Sequence, residues 1–289
     1  KAYGAEVALD PDAVIARADV DAVVIASPDF THAPLSLACI EARKPVLCEK
    51  PLSQSSAECH RVIEAEMASG RRWVQLGFMR RYDRAYAQMK SALTQGRIGR
   101  ALMMHNFHRN VETPAADFTG AMAITNSAPH EFDVVRFVLD TEYAAVTAFQ
   151  PKRSDALVAP VVMMLETVDG QLVTIEINNN AAYGYDVRGE LVGEAGSVQM
   201  VSPAQTLLDA ALAQSAAYDA DWRARYAEAY RQQNKDFLRF VTNGDFPAIA
   251  SDCWDGLAAA QVAEAGVRAL KEGQRIAIPA TPRPAFYAR

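Results

Sequence analysis

Lys44-Pro45-Val46-Leu47-Cys48-Glu49-Lys50-Pro51 is a short apolar run that ends abruptly in charge. It is the middle of three such runs in the first third of the chain. Asp21–Ser27 runs into Ser27-Pro28, and Trp73–Gly77 runs into Phe78-Met79-Arg80-Arg81-Tyr82. Near-continuous apolar character over five or so residues marks a strand covered on both faces. Helix-like stretches separate the runs. Leu35, Leu37, Ala38 and Ile40 give 34–42 an apolar stripe. Ser55 and Glu58 have capping-box spacing ahead of a helix that Gly70 stops. Tyr82, Tyr86, Met89 and Leu93 mark one face of a third helix, ended by Gly96. Strand, helix, strand, helix, strand, helix is half of a doubly wound parallel α/β sheet. Ligands of such sheets bind beyond the carboxyl ends of the strands, which places Lys50 at a crevice.

The pattern changes after Gly99. Residues 100–108, 144–152, 161–167, 172–178 and 189–200 read as strands, with Asp169-Gly170 as a hairpin turn and Glu194-Ala195-Gly196 as another. One helix interrupts them at 129–139, and two close the chain at about 221–241 and 252–271. The expected second domain is therefore α+β with a mostly antiparallel open sheet. The sequence divides into a truncated dinucleotide-binding domain over 1–98 and a substrate-binding and oligomerisation domain over 99–289, the last helix packing back on the first domain. The start, Lys1-Ala2-Tyr3-Gly4, has no apolar core of a signal peptide. A doubly wound domain should open with a strand and a Gly-rich turn, and neither is here. The chain reads as lacking its natural N-terminus, with about 50 further residues expected before Lys1.

The 289 residues are 50% hydrophobic and 22% charged, with a net charge of −6. That is the composition of a soluble globular protein, and its acidity argues against nucleic acid. No stretch approaches the length of a membrane span. Cys39, Cys48, Cys59 and Cys253 lack CxxC spacing and clustered histidines, so no metal site is expected. Reduced thiols in a cytoplasmic protein are the simplest reading.

Lys50, stiffened by Pro51, suits a group that donates to a substrate hydroxyl or steadies a developing alkoxide; a plain surface lysine is the alternative. His130 follows Ser127, a candidate cap, and Pro129, which suits a first helical turn. The positive end of a helix dipole keeps such an imidazole neutral and able to accept a proton. A half-buried capping histidine is the competing reading. His105 and His108 should face opposite sides of a strand, whereas His108 and Asn110 share a face that could bind a polyol. Tyr183 and Tyr185 likewise share a face. Asp133 and Arg136 read as a helix-surface pair. Cys48 has Lys50 nearby, which would activate a thiol, but a buried strand thiol is the simpler state. No Gly-x-Ser-x-Gly elbow and no Cys/His pair is present.

Ala26-Ser27-Pro28-Asp29-Phe30-Thr31-His32, Cys48-Glu49-Lys50-Pro51 and His130-Glu131-Phe132-Asp133 together resemble the Gfo/Idh/MocA family of NAD(P)-dependent oxidoreductases. Gly77-Phe78-Met79-Arg80-Arg81-Tyr82-Asp83, His108-Arg109-Asn110, Tyr183-Gly184-Tyr185-Asp186, Trp254-Asp255-Gly256 and Pro284-Ala285-Phe286-Tyr287 are similar to its inositol 2-dehydrogenase branch. The resemblance implies a Rossmann domain joined to an open-sheet domain that often builds a homo-oligomer, a dimer or tetramer. It implies NAD as cofactor, with NADP left open. Lys50 would hold the reacting hydroxyl and His130 would take its proton. Arg80, His108, Asn110 and Tyr185 would line a polyol pocket, and Ser27, Pro28, His32, Glu49 and Lys50 would lie along the cofactor. The family places Asp four residues before the catalytic histidine; here it is Asn126, an amide that can orient the ring but not support imidazolium. The expected activity is oxidation of an inositol hydroxyl to a ketone. An aldose dehydrogenase, an NAD-dependent glycosidase of the same fold and a non-catalytic sugar sensor are the alternatives.

Overall fold

The computed structural model describes residues 3–201 and 207–288; Lys1 and Ala2, where the sequence reading begins, lie outside it. The chain forms two compact units. The first holds the residues up to Gly77, Gln233–Leu257 and the residues from Arg283 on; the second holds Phe78–Gln232 and Ala258–Pro282.

The first unit opens with α1 (Pro11–Ala16), β1 (Val23–Ile25), α2 (His32–Glu41), β2 (Val46–Cys48), α3 (Ser56–Ser69) and β3 (Val74–Leu76). The strands pair in parallel in the order β1-β2-β3. Every residue of β2 and β3 is buried, which explains their unbroken apolar reading. As expected, Ser55 caps α3, its side chain accepting from the Glu58 amide at 3.4 Å, and Gly70 ends the helix in the left-handed region at φ 74°. Later parts of the chain complete this unit. Phe237 and Phe240 pack on Leu47. Ser251 extends the sheet by accepting the Leu76 amide at 2.9 Å.

The second unit begins with α4 (Arg84–Thr94) and β4 (Ala101–Arg109). A short turn, α5 (Gly120–Met122), leads through a π-helical turn, 123–127, into α6 (Pro129–Leu139). Then come β5 (Tyr143–Phe149), β6 (Val161–Thr167), β7 (Leu172–Asn178), β8 (Asp186–Gly193), β9 (Gly196–Gln199) and a small hairpin, β10 (Leu208–Ala210) and β11 (Ala213–Ser215). Two long helices follow, α7 (Trp222–Asn243) and α8 (Cys253–Glu272), of which the stretch Gln233–Leu257 belongs to the first unit, and β12 (Ile276–Ala277) returns to the sheet edge. The sheet order is β12-β5-β6-β7-β4-β8-β9. All neighbours are antiparallel except β4 and β7. In β6, Val161, Met163, Leu165 and Thr167 are buried while Val162 and Met164 are exposed, the alternation of a sheet with one covered face. A Cβ on Gly193 would lie 2.2 Å from the Ile98 carbonyl oxygen, so only glycine fits the tight return between β8 and β9.

The doubly wound parallel sheet and the mostly antiparallel α+β unit are thus as the sequence indicates. Three local expectations are corrected. Ser127 does not cap α6. The residue ahead of the helix is Ala128, in helical conformation, and its amide bonds back to Ala123 across a π-turn. Ser127 instead pairs with Asn179, whose Nδ2 donates to Ser127 Oγ at 3.0 Å. Asp133 and Arg136 are not on a helix surface; both are buried, Asp133 taking Arg81 and Arg136 taking Glu142. Tyr183 and Tyr185 part company at Gly184, Tyr183 being 49% exposed and Tyr185 3%. No helix among the described residues is long and apolar enough to cross a membrane.

Candidate active site

In the first unit the three strand ends are level. The Glu49 amide donates to Ile25 O and the Gly77 amide to Cys48 O, both at 2.8 Å. A Cβ on Gly77 would lie 2.8 Å from Glu49 Oε2 and 3.1 Å from Glu49 Cα, so the glycine lets β3 leave beside the Glu49 side chain. Lys50 is half-buried and joined to Pro51 by a cis peptide bond. Burial pushes the Glu49 carboxyl up, and the neighbouring Lys50 charge works against it. The His32 ring, 1% exposed, bridges two loops, with Nδ1 at 2.6 Å from Pro51 O and Nε2 at 2.9 Å from Ser27 O. Thr31 Oγ1 donates to Pro28 O at 2.7 Å. Ser27 and Pro28 stay exposed beyond β1. Small exposed residues and open backbone at parallel strand ends fit one side of a dinucleotide. Cys48 is fully buried, and burial pushes its thiol well up, so the buried-strand reading of this cysteine holds.

In the second unit the chain brings together Arg80, His108, His130 and Tyr185. Arg80 leaves a 3-10 turn over 79–82, just after β3. His108 points from the covered face of β4, while His105 points from the other face and meets Thr174 Oγ1 at 2.7 Å, so the two histidines diverge as their spacing requires. His108 Nδ1 lies 3.0 Å from Glu131 Oε2 and 3.3 Å from Arg80 Nη2. Arg80 Nη1 donates to Glu131 Oε1. The His108 ring centroid stands 6.4 Å from that of His130 and 6.2 Å from that of Tyr185, the latter edge-on. Phe78 meets His130 edge-on at 6.2 Å, and Tyr226 backs Tyr185 at 6.4 Å. Burial alone would raise the Glu131 carboxyl, but the Arg80 guanidinium and His108 outweigh it and hold it below the usual carboxylate range.

His130 is the second residue of α6 and is 9% exposed. Because a π-turn precedes α6, the ring does not stand at an open helix N-terminus. Asn126 is half-buried on that same turn, four residues before His130. Asn110 lies just past β4, half-buried, its amide donating to Asn178 O and its carbonyl accepting from Ala181. Sequence reasoning missed Glu131 and Tyr226. Glu131 was in view next to His130, but its cationic partner lies 51 residues away and no local pattern announces that pairing. Lys50, Ser27, Pro28, His32 and Glu49 belong to the first unit and the remaining candidates to the second. Among the described residues no group of His, Cys, Asp and Glu could hold a metal ion.

A parallel nucleotide-type sheet with a lysine at its rim, joined to an open-sheet unit carrying buried histidines, defines an oxidoreductase of Rossmann type. The chain belongs to the Gfo/Idh/MocA family. Residues 1–78 match its oxidoreductase family, NAD-binding Rossmann fold, and residues 86–199 match its GFO/IDH/MocA C-terminal domain. Inositol 2-dehydrogenase 1 of Saccharopolyspora erythraea is 45% identical, over 96% of this chain and 83% of that protein. Inositol 2-dehydrogenase of Pseudomonas syringae is 40% identical, over 99% and 85%. Among solved structures, myo-inositol dehydrogenase from Lactobacillus casei in complex with NAD(H) and myo-inositol superposes with a TM-score of 0.93 at 29% identity, covering 98% of this chain and 85% of that one.

Proposed function

We propose that this protein oxidises a secondary hydroxyl of a cyclic polyol, an inositol, to the ketone in an NAD-dependent reaction. The observation that carries the reading is the charge-compensated wall beside His130. The Arg80 cation is cancelled by Glu131, beside the hydrogen-bonding groups of His108 and Tyr185. Such a wall suits an uncharged polyhydroxylated ring; a phosphate or carboxylate substrate would call for an uncompensated cation. The inositol dehydrogenases among the relatives support the same substrate class.

In this reading Lys50 holds the reacting oxygen and steadies the negative charge that develops there. His130 takes the hydroxyl proton, and Asn126 orients its ring. Arg80, His108, Asn110 and Tyr185 bind the remaining hydroxyls. Ser27, Pro28, His32, Glu49 and Lys50 lie along the dinucleotide. When bound, NAD supplies the carbon that accepts the hydride from the carbinol. A cytoplasmic homo-oligomer belongs to the same reading.

The test is NADH formation from myo-inositol and NAD, followed by absorbance. His130→Ala should lower turnover by about a hundredfold or more, the scale of a lost general base. Turnover within about tenfold of the parent would overturn the role of His130. Absence of NADH with every inositol isomer would overturn the substrate class.

A further inference from the structure

We propose that Glu131 is a positioning residue that fixes the tautomer of His108, so that this imidazole offers Nε2 as a hydrogen-bond acceptor and selects a substrate position carrying a free hydroxyl. The inference rests on the polyol reading above and deepens it.

The argument starts from a conflict at one nitrogen. His108 Nδ1 faces Glu131 Oε2 at 3.0 Å and Arg80 Nη2 at 3.3 Å. A guanidinium N–H needs a lone pair on Nδ1, whereas a carboxylate oxygen needs a proton there. Both demands cannot be met at once. The carboxylate is the nearer partner, and Glu131 is 0% exposed, so a lone pair of Nδ1 aimed at it would leave two acceptors in contact without solvent. Yielding costs Arg80 only the longer 3.3 Å contact, because its charge is already met by Nη1 donating to Glu131 Oε1. In its neutral form the ring therefore carries its proton on Nδ1. Rotating the ring by half a turn would put a carbon against Glu131 and forfeit the bond. The proton on Nδ1 leaves a lone pair on Nε2, the atom that neither Glu131 nor Arg80 uses.

An acceptor at this place sorts substrates. A hydroxyl can donate to Nε2; a carbonyl or a methyl ether at the same position cannot. Glu131 sets this rule without touching the ligand, through the hydrogen bond it accepts. Replacement by glutamine has a defined consequence. The amide oxygen stays with the Arg80 cation, and the amide NH₂ turns to His108. Nδ1 must then present its lone pair, the proton moves to Nε2, and the acceptor becomes a donor.

Nitrogen-15 NMR of the histidine-labelled full chain reads the tautomer directly, the His108 signals being assigned by their loss in His108→Gln. The parent should show a protonated Nδ1 and an unprotonated Nε2. Glu131→Gln should show the reverse, with KM for myo-inositol raised about tenfold or more while kcat changes by less than about threefold. A parent ring protonated on Nε2, or on both nitrogens at the assay pH, overturns the inference, and that measurement stands even if the variant does not fold. A folded Glu131→Gln protein with the parent tautomer and KM overturns it equally. If the parent oxidises no polyol, the functional reading fails, and the nitrogen signals still decide whether Glu131 sets the tautomer.

Discussion

Arg81 is 1% exposed and meets Asp133 with two parallel hydrogen bonds, Nε to Oδ2 at 2.8 Å and Nη2 to Oδ1 at 2.6 Å. The Phe137 ring lies beneath it, 5.6 Å from the guanidinium carbon. A buried fork of this kind tolerates loss of neither partner. Asp133→Ala should cost about 3–5 kcal/mol, because the guanidinium would lose its bidentate carboxylate while staying desolvated. Chemical denaturation of the purified variant measures this; a loss below about 1 kcal/mol would class the pair with surface bridges. The residue scale is also where the sequence is least explicit. His130, Arg80, His108 and Tyr185 were legible as site candidates from motif and strand position, and the structure brings them together in one cluster. The partners were not legible. Spacing along α6 suggests an exposed Asp133–Arg136 pair, yet both are buried, and the fold brings Arg81 to Asp133 and Glu142 to Arg136. Charge pairing in a buried site is decided by tertiary neighbours, and local spacing carries that information only on exposed helix faces.

At the scale of elements, helix ends and strand cores were easy to read, since their signals are local. Gly70 after α3 and the bounds of β6 and β7 fall where caps, turns and alternation put them. The region before α6 was not. Thr119 caps a first short turn, its side chain accepting from the Met122 amide at 3.2 Å, and the helix then widens into a π-turn instead of starting afresh at Ser127. One extra residue per turn has no hydrophobic signature, because Ala123, Ile124 and Ser127 are all buried whichever way the turn is wound. The consequence is chemical. A continuous helical entry spends the amides of Ala128, Glu131 and Phe132 on backbone carbonyls. Similarly, β12 is two residues long and pairs with β5 at the sheet edge, too short to show a period.

At the scale of the whole molecule, the first unit is stitched from distant stretches of chain. Tyr287 Oη donates to Glu66 Oε2 at 2.6 Å, while Glu66 Oε1 accepts the amides of Trp73 at 2.6 Å and Val74 at 2.8 Å. Arg72 donates to the carbonyls of Phe286 and Ala288, and Arg283 donates to Asp252. The tail is thereby clasped around α3 and β3. Burial raises the Glu66 carboxyl, the bonds from Tyr287 and the two amides opposing it only in part. A carboxyl raised on folding binds more protons in the native state. It stabilises the protein at low pH, and that contribution fades as pH climbs from the ordinary glutamate value, about 4.3, through the raised one. Glu66→Gln should remove this slope. The difference in urea midpoint between variant and parent should move in the variant's favour with rising pH, and a flat or opposite trend would refute the assignment. Glu131, held low by Arg80, works in the reverse sense, its contribution vanishing as pH falls.

The thiols offer a way to watch one half of the protein alone. Cys39, Cys48, Cys59 and Cys253 are all the cysteines in the sequence, each is 0% exposed, and all four fall in the nucleotide-type unit. An alkylating reagent therefore finds no target until that unit opens, and the open-sheet unit contributes no background. Labelling rate becomes an internal gauge of the Rossmann half, read without added tags or dyes, and a dinucleotide that grips the strand ends should slow it in proportion to its occupancy.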